Sequence, residues 1–286
     1  MLSYRHGFHA GNFADVFKHA LLIELVTALK RKDKGFFALD THAGAGLYRL
    51  DSDHAQKLRE YETGIARLWR APVPAILQPY LELVREFNPG GELRVYPGSP
   101  LILHTLLRPQ DRLALAELHP TDFANLERHF ARAARTSLQQ TDGLALARAL
   151  LPPPEARGLV LVDPPYELDR EWRELPKAAR DVHRRWRGGV QALWYPLLPG
   201  RVTPNFLQAL TALGIPKTLR AEIEVGPVRG SHGMYGCGMA VINPPQGLER
   251  WLGELLPELA ECLAIEQPRW RVDWLVAEGA AGKSRA

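Results

Sequence analysis

The tetrapeptide Asp163-Pro164-Pro165-Tyr166 is the part of this chain whose residue types and spacing point most directly to chemistry. It follows the apolar run Leu159-Val160-Leu161-Val162, which reads as a buried strand. Two consecutive prolines remove two amide donors and fix φ, so the chain can neither extend that strand nor open an ordinary helix. What remains at the strand end is a rigid mouth offering a carboxylate, a prolyl carbonyl and an aromatic face. Two acceptors beside a stacking surface match an exocyclic amino group on a planar base. A second candidate is Asp40-Thr41-His42-Ala43-Gly44-Ala45-Gly46, where two glycines after the run Phe36-Phe37-Ala38-Leu39 let backbone approach a ligand closely. A dinucleotide fingerprint would carry glycine or alanine where Arg49 stands, which argues against a nicotinamide cofactor. Asn243-Pro244-Pro245-Gln246 echoes the tetrapeptide without its aromatic and reads as a strand terminator.

Strand ends must hold both motifs, and the rest of the chain supplies them. Leu113 to Glu117, Ser137 to Asp142 and Val190 to Tyr195 are further apolar runs, the habit of parallel strands covered on both faces. Helical stripes lie between them, such as Phe123, Leu126, Phe130 and Ala133. Leu219, Ala221, Ile223 and Val225 alternate with Arg220, Glu222 and Glu224, predicting a half-buried strand. A glycine-rich stretch from Gly226 to Gly238 then leads into Met239-Ala240-Val241-Ile242, giving a terminal antiparallel hairpin. The expected fold is a doubly wound α/β sheet of five βα units plus that hairpin.

One interval is out of proportion. A ribose-binding acid sits roughly 20 residues beyond the glycine turn in nucleotide-binding sheets, whereas Glu117 stands about 70 positions beyond Gly46. The excess carries two helical stripes, Leu58, Tyr61, Ile65 and Leu68, then Tyr80, Val84 and Phe87. Residues 50–93 are therefore expected to form a helical insertion within a single domain spanning 1–286. A flexible tail is expected over 278–286.

Composition sets outer bounds. With 46% hydrophobic and 24% charged residues, the 286-residue chain is globular rather than disordered. Its 2 cysteines exclude a disulfide scaffold or a thiolate-rich zinc site and suit a reduced compartment. The net charge is +4, and arginine outnumbers lysine 28 to 8, which favours recognition of phosphate by planar guanidinium groups. No apolar run approaches the ~20 residues that a bilayer requires, and the first residues lack a signal peptide's apolar core, so the expected location is cytoplasmic, with no membrane partner.

Asp163-Pro164-Pro165-Tyr166, downstream of Gly44-Ala45-Gly46 and upstream of a closing hairpin, resembles the catalytic motif of amino-group methyltransferases that use S-adenosyl-L-methionine. The resemblance becomes narrower with Met1-Leu2-Ser3-Tyr4-Arg5-His6, Phe8-His9-Ala10-Gly11-Asn12, Asp15, Lys18-His19, Tyr96-Pro97-Gly98-Ser99-Pro100, Glu117-Leu118-His119-Pro120 and Trp194-Tyr195-Pro196. Together these resemble the large-subunit ribosomal RNA methyltransferase J family, which methylates adenine 2030 of 23S rRNA on N6, over residues 1 to about 275. The resemblance implies a Rossmann-like class I methyltransferase sheet. It also implies cofactor contacts from His19, His42, Ser99, Glu117, Asp142, Gly143 and Asp163, and a substrate-side position for Tyr4.

Several of these roles agree with the residues read alone. Glu117 ends the second strand, where an acid accepts ribose hydroxyls. Asp142-Gly143 ends the third, where an acid can accept an adenine amine. Lys18 and His19 could meet a methionyl carboxylate, and Gly44 and Gly46 would cradle the cofactor. Asp163 and the Pro164 carbonyl are the expected catalytic acceptors for N6–H, with Tyr166 stacking on an adenine taken out of its stack. Tyr4, Arg5, His6 and Lys18 mix aromatic and cationic groups as an RNA contact needs. The cluster Arg180, Arg184, Arg185 and Arg187 around Trp186, and Arg229 and His232 in the glycine-rich loop, are either RNA contacts or plain surface. His104 and His119 read as satisfied structural histidines. No metal is expected, since a sulfonium methyl needs no Lewis acid, and no obligate protein partner is evident. C5-pyrimidine methylation is disfavoured, because neither cysteine follows a proline in a suitable turn. The other readings are a DNA adenine-N6 methyltransferase and a cofactor-binding RNA module without turnover.

Overall fold

Asn12 opens the first helix: its side chain accepts the Asp15 amide at 3.0 Å, capping α1 (Phe13–Lys30). In this computed structural model, which describes residues 5–226 and 233–279, α1 leads to β1 (Phe37–Asp40) and β2 (Leu47–Arg49). Next come α2 (Asp53–Leu58), α3 (Ile65–Arg70), α4 (Gln78–Glu86) and β3 (Val95–Pro97). The main alternation resumes with α5 (Ser99–Leu106), β4 (Arg112–Ala116), α6 (Pro120–Phe130), β5 (Thr136–Gln139) and α7 (Gly143–Leu150). Then come β6 (Gly158–Val162), α8 (Asp169–Arg185), β7 (Gly189–Leu197), α9 (Val202–Ala212), β8 (Thr218–Glu224), β9 (Gly236–Ile242), α10 (Leu248–Cys262) and β10 (Arg269–Val276).

The strands form one sheet in the order β10-β8-β9-β7-β6-β1-β4-β5. β7, β6, β1, β4 and β5 run parallel, while β9, β8 and β10 add antiparallel neighbours beyond β7. β1 and β6 are buried at every position, as central parallel strands must be, and this explains their uninterrupted apolar runs. Leucines and aromatics of α1, α4, α5 and α10 fill one face of the sheet, and those of α7, α8 and α9 fill the other. Among the described residues no helix is long and apolar enough to cross a membrane.

Four local differences from the sequence reading have physical causes. β10 was not anticipated: it pairs only with β8, and Trp270 and Trp274 remain exposed, so its pattern lacks the apolar continuity of a central strand. Glu222, placed by alternation on an open face, is buried and accepts the Tyr195 hydroxyl at 2.9 Å because both faces of β8 are covered. Within 50–93, the stripe Leu58 to Leu68 is not one helix, since Arg59 turns left-handed (φ 53°) between α2 and α3. These helices lie between the two strands of a ribbon that pairs Leu47 with Pro97 and Arg49 with Val95. Finally, β5 stops at Gln139, so Asp142 does not end a strand; it caps α7, its Oδ1 accepting the Ala145 amide at 2.9 Å.

Tyr4, Arg229, His232 and 280–286 lie outside the described residues. Of the expected tail, Glu278 pairs with Lys217.

Candidate active site

A cleft opens where the carboxyl ends of β1, β4 and β6 meet, the position at which open α/β sheets bind ligands. Asp163, Pro164 and Pro165 line it from β6, Thr41, His42 and Gly44 from β1, and Glu117, Leu118 and His119 from β4. Asp142, Gly143 and Leu144 reach it from the start of α7, and Gly98 and Ser99 from the start of α5. His6, Lys18 and His19 also line it, as do Arg170, Glu171 and Glu174 from the first turns of α8. Residues dispersed over most of the chain thus converge because a parallel sheet puts every βα junction on one edge.

The floor is a charged network. Lys18 Nζ lies 2.5 Å from Asp163 Oδ2 and 2.8 Å from Asp15 Oδ1. Asp15 Oδ2 also meets His6 Nε2 at 2.9 Å and the Gly11 amide at 2.9 Å. Burial works against both charges, yet each is sustained by its neighbours. His6, Lys18 and His19 hold the Asp15 carboxyl well below the usual carboxylate range, and Asp15 and Asp163 hold Lys18 well above its usual value. Lys18 therefore spends two of its three protons inside the protein, where the sequence reading gave it a methionyl carboxylate.

Two imidazoles are kept neutral. Burial pushes His19 down to about 3, and its Nδ1 lies 2.7 Å from the Tyr96 hydroxyl, with the two rings stacked. Burial also pushes His42 down to about 4. The Thr41 hydroxyl donates to the Leu161 carbonyl at 2.9 Å, so His42 Nδ1, 2.8 Å from Thr41 Oγ1, must carry the proton in that contact. His42 Nε2 is left as an acceptor.

Glu117 organises the opposite wall. Its Oε2 accepts the Gly44 amide at 2.8 Å and its Oε1 the His119 amide at 2.7 Å, tying the glycine turn to the end of β4. Gly44 is left-handed (φ +63°), and a Cβ there would stand 2.2 Å from the Tyr48 hydroxyl, so only glycine fits. Gly46, also expected at the cofactor, does not line the cleft; its carbonyl accepts the Gly98 amide at 2.7 Å and joins the turn to β3–α5. His104 is satisfied by Thr136, as expected. His119 is not: its Nδ1 is buried on the cleft wall without a partner among the described residues.

Tyr166 takes an unexpected position. Its backbone is left-handed (φ +54°), a strained conformation for a bulky residue. The hydroxyl donates to the Trp194 carbonyl at 2.6 Å, and the ring lies 4.2 Å from Trp172 between centroids. Tyr166 thus packs behind the mouth instead of lining the cleft. Of the arginine cluster, Arg184, Arg185 and Arg187 lie at the sheet edge opposite Asp163, and Trp186 is buried against Phe37.

Asp15, Asp40 and Thr41 are site residues to which the sequence reading gave no role. Asp40 is fully buried, accepts the Ser99 hydroxyl at 2.7 Å, and is pushed up by burial to about 7. The available signal was spacing: Asp15 stands one helical turn before Lys18.

The donor set fits S-adenosylmethionine. Acceptors at Glu117 and Asp142 suit hydroxyl and amine groups, Leu118 and Leu144 add apolar surface to the same lining, and His119 Nδ1 is a buried polar atom without a partner among the described residues. Residues 33–276 match the family model described as "Ribosomal RNA large subunit methyltransferase D, RlmJ". The chain is 44% identical to ribosomal RNA large subunit methyltransferase J of Escherichia coli (strain K12) over 280 residues, covering 97% of this chain and 100% of the relative. It is likewise 44% identical to the Haemophilus influenzae protein of the same name over 281 residues, with 97% and 100% covered. A crystal structure of a Legionella pneumophila protein superposes with a TM-score of 0.87 at 35% identity, covering 93% of this chain and 98% of that one. The chain belongs to the RlmJ family of ribosomal RNA large subunit methyltransferases, enzymes that take their methyl group from S-adenosylmethionine.

Proposed function

We propose that this chain methylates N6 of an adenine in 23S rRNA, the adenine 2030 that the family resemblance implies, with Asp163 and Pro164 as the groups that hold the reacting amine. The observation that carries this reading is the pairing of Asp163 with Lys18 at the floor of a cleft whose other wall presents Glu117, Asp142 and His119. When bound, S-adenosylmethionine supplies a methyl group on a sulfonium, ready for in-line attack without a metal.

An adenine amine is a weak nucleophile because its lone pair is delocalised into the ring. Asp163 has one oxygen on Lys18, and its other oxygen, with the Pro164 carbonyl, can accept the two N6–H bonds. Accepting both favours a pyramidal nitrogen and aims its lone pair, which is orientational and electrostatic catalysis. Glu117 would accept the ribose hydroxyls, Asp142 the cofactor adenine amine, and Leu118 and Leu144 would sandwich that adenine. His19 and His42, both neutral, and Ser99 line the same cleft and would hold the methionyl part. His6, linked to Lys18 through Asp15, would face the substrate. Stacking of the target base on Tyr166 requires the tyrosine to leave the Trp194 carbonyl.

Methyl transfer from labelled S-adenosylmethionine to protein-free 23S rRNA, followed by nucleoside analysis, tests the proposal. N6-methyladenosine at a single site is the expected product. Transfer to duplex DNA with none to rRNA would favour a DNA enzyme instead.

A further inference from the structure

α8 carries an exposed cationic stripe that starts at the mouth of the cleft. Arg170, Arg173, Lys177, Arg180 and Arg184 recur at steps of three and four, and all five are exposed. At 3.6 residues per turn they fall within a wedge of about 80°. The opposite side of the helix holds Trp172, Leu175, Ala179 and Val182, buried in the core, so the stripe points directly away from the protein. Arg170 lines the cleft that holds Asp163, while Arg184 lies at the far edge of the sheet, roughly 21 Å along the helix axis.

On a solvated helix face, cations and acids four residues apart are within reach of one another. Glu174 stands four residues after Arg170, and Asp181 four after Lys177, yet among the described residues none of the five cations forms an ion pair within 4 Å. The carboxylates of Glu171, Glu174 and Asp181 flank the stripe without entering it. Four of the five are arginines, whose fork grips phosphate oxygens in pairs.

We infer that the phosphate backbone of the RNA leaves the cleft along α8, held on Arg173, Lys177, Arg180 and Arg184, with Arg170 at the point of entry. The inference rests on RNA being the substrate, as proposed above. Of the arginines singled out in the sequence, Arg180 and Arg184 belong to this track. Arg185 turns aside to donate to the Arg148 carbonyl at 3.2 Å. The helix thereby couples two tasks: its first turn borders the reacting base, and its outer face fixes the register of the strand that carries the base.

The test compares the wild type with Arg173→Gln/Lys177→Gln/Arg180→Gln and with a control of equal charge loss, Arg250→Gln/Arg269→Gln/Arg271→Gln, on exposed positions elsewhere. The probe is a fluorescently labelled transcript containing the target adenine, titrated across KCl concentrations. Losing three phosphate contacts should flatten the slope of log Kd against log salt by about 2 to 3, and the single changes Arg173→Gln and Arg180→Gln by roughly 1 each. KM for RNA should rise at least about tenfold near physiological salt, with kcat and the KM for S-adenosylmethionine unchanged. A wild-type slope in the α8 variant, or an equal loss in the control, would overturn the track and leave the stripe to another anionic partner. Absence of methyl transfer by the wild type would instead count against the proposed activity, and the salt slopes would still decide the track.

Discussion

Lys18 Nζ stands between two carboxylates, 2.5 Å from Asp163 Oδ2 and 2.8 Å from Asp15 Oδ1, and this asymmetric sharing separates two mutations of one ion pair. Removing Asp163 leaves Lys18 still paired with Asp15. Removing Lys18 leaves two carboxylates facing each other, one of them fully buried.

Asp163→Ala should therefore abolish methyl transfer while the protein melts close to the wild-type temperature. Lys18→Met should lose activity and also about 3–5 kcal/mol of stability, the cost of breaking a buried pair. Urea denaturation of both variants, beside a single-turnover assay, checks the contrast. Equal destabilisation by the two changes would show that Asp15 does not hold Lys18.

Glu117→Ala should weaken cofactor binding by about 10- to 150-fold, the range for losing hydrogen bonds to a charged acceptor, and leave RNA affinity nearly unchanged. Two effects act together, since the carboxylate that faces the cleft also accepts the Gly44 and His119 amides. Calorimetric titration with S-adenosylmethionine and an RNA gel shift separate the two ligands. A loss confined to RNA would contradict the assignment to the cofactor wall.

The βα alternation was legible because central parallel strands are apolar throughout, as β1 and β6 are. Asp163, Glu117 and His42 were legible because strand ends in such a sheet all reach one edge. α1 was not, since residues from Ala14 to Leu29 are buried on nearly every side and leave no amphipathic stripe. Asp15 was hidden for the same reason. Its role appears only when a helix beside the sheet meets Asp163, 145 residues later than Lys18. Tyr166 was misplaced because a tetrapeptide shows the ring's chemistry but not the left-handed turn that swings it toward Trp194.

Gly143→Ala should be disruptive, because Gly143 is buried at the start of α7. A Cβ on Gly143 would lie 1.9 Å from the Thr41 carbonyl oxygen, which is backbone and cannot swing aside. The start of α7 would have to retreat from the end of β1, carrying Asp142 away from the cleft. Lowered cofactor affinity should accompany a fall in melting temperature, with overpacking costing roughly 1–3 kcal/mol. Unchanged affinity for S-adenosylmethionine would mean that the contact between Gly143 and Thr41 does not set the position of Asp142.

Asp40 makes stability depend on pH in a direction opposite to that of His19. Burial raises the Asp40 carboxyl from an ordinary 3.8 to about 7, so between those values the folded protein holds a proton that the unfolded chain has released. Stability from this group is complete below about 4 and is lost as pH rises toward 7, by about 1.4 kcal/mol per pH unit. Burial lowers His19 from 6.5 to about 3, so in that window the unfolded chain takes up a proton that the folded protein refuses, and stability falls as pH drops. Asp40 and His19 thus act in opposite directions, and His42, lowered by burial to about 4, adds to the His19 side. Asp40→Asn removes the titrating group while its amide oxygen accepts the His42 amide and its NH2 donates to the Ser99 hydroxyl oxygen, which then turns from donor to acceptor. Relative to wild type, its unfolding free energy should climb by about 1.4 kcal/mol for each pH unit between 4 and 7. Urea midpoints at a series of pH values give the measurement. Parallel profiles for the two proteins would show that Asp40 ionises alike in the folded and unfolded states, and that the Ser99 hydroxyl outweighs burial at the end of β1.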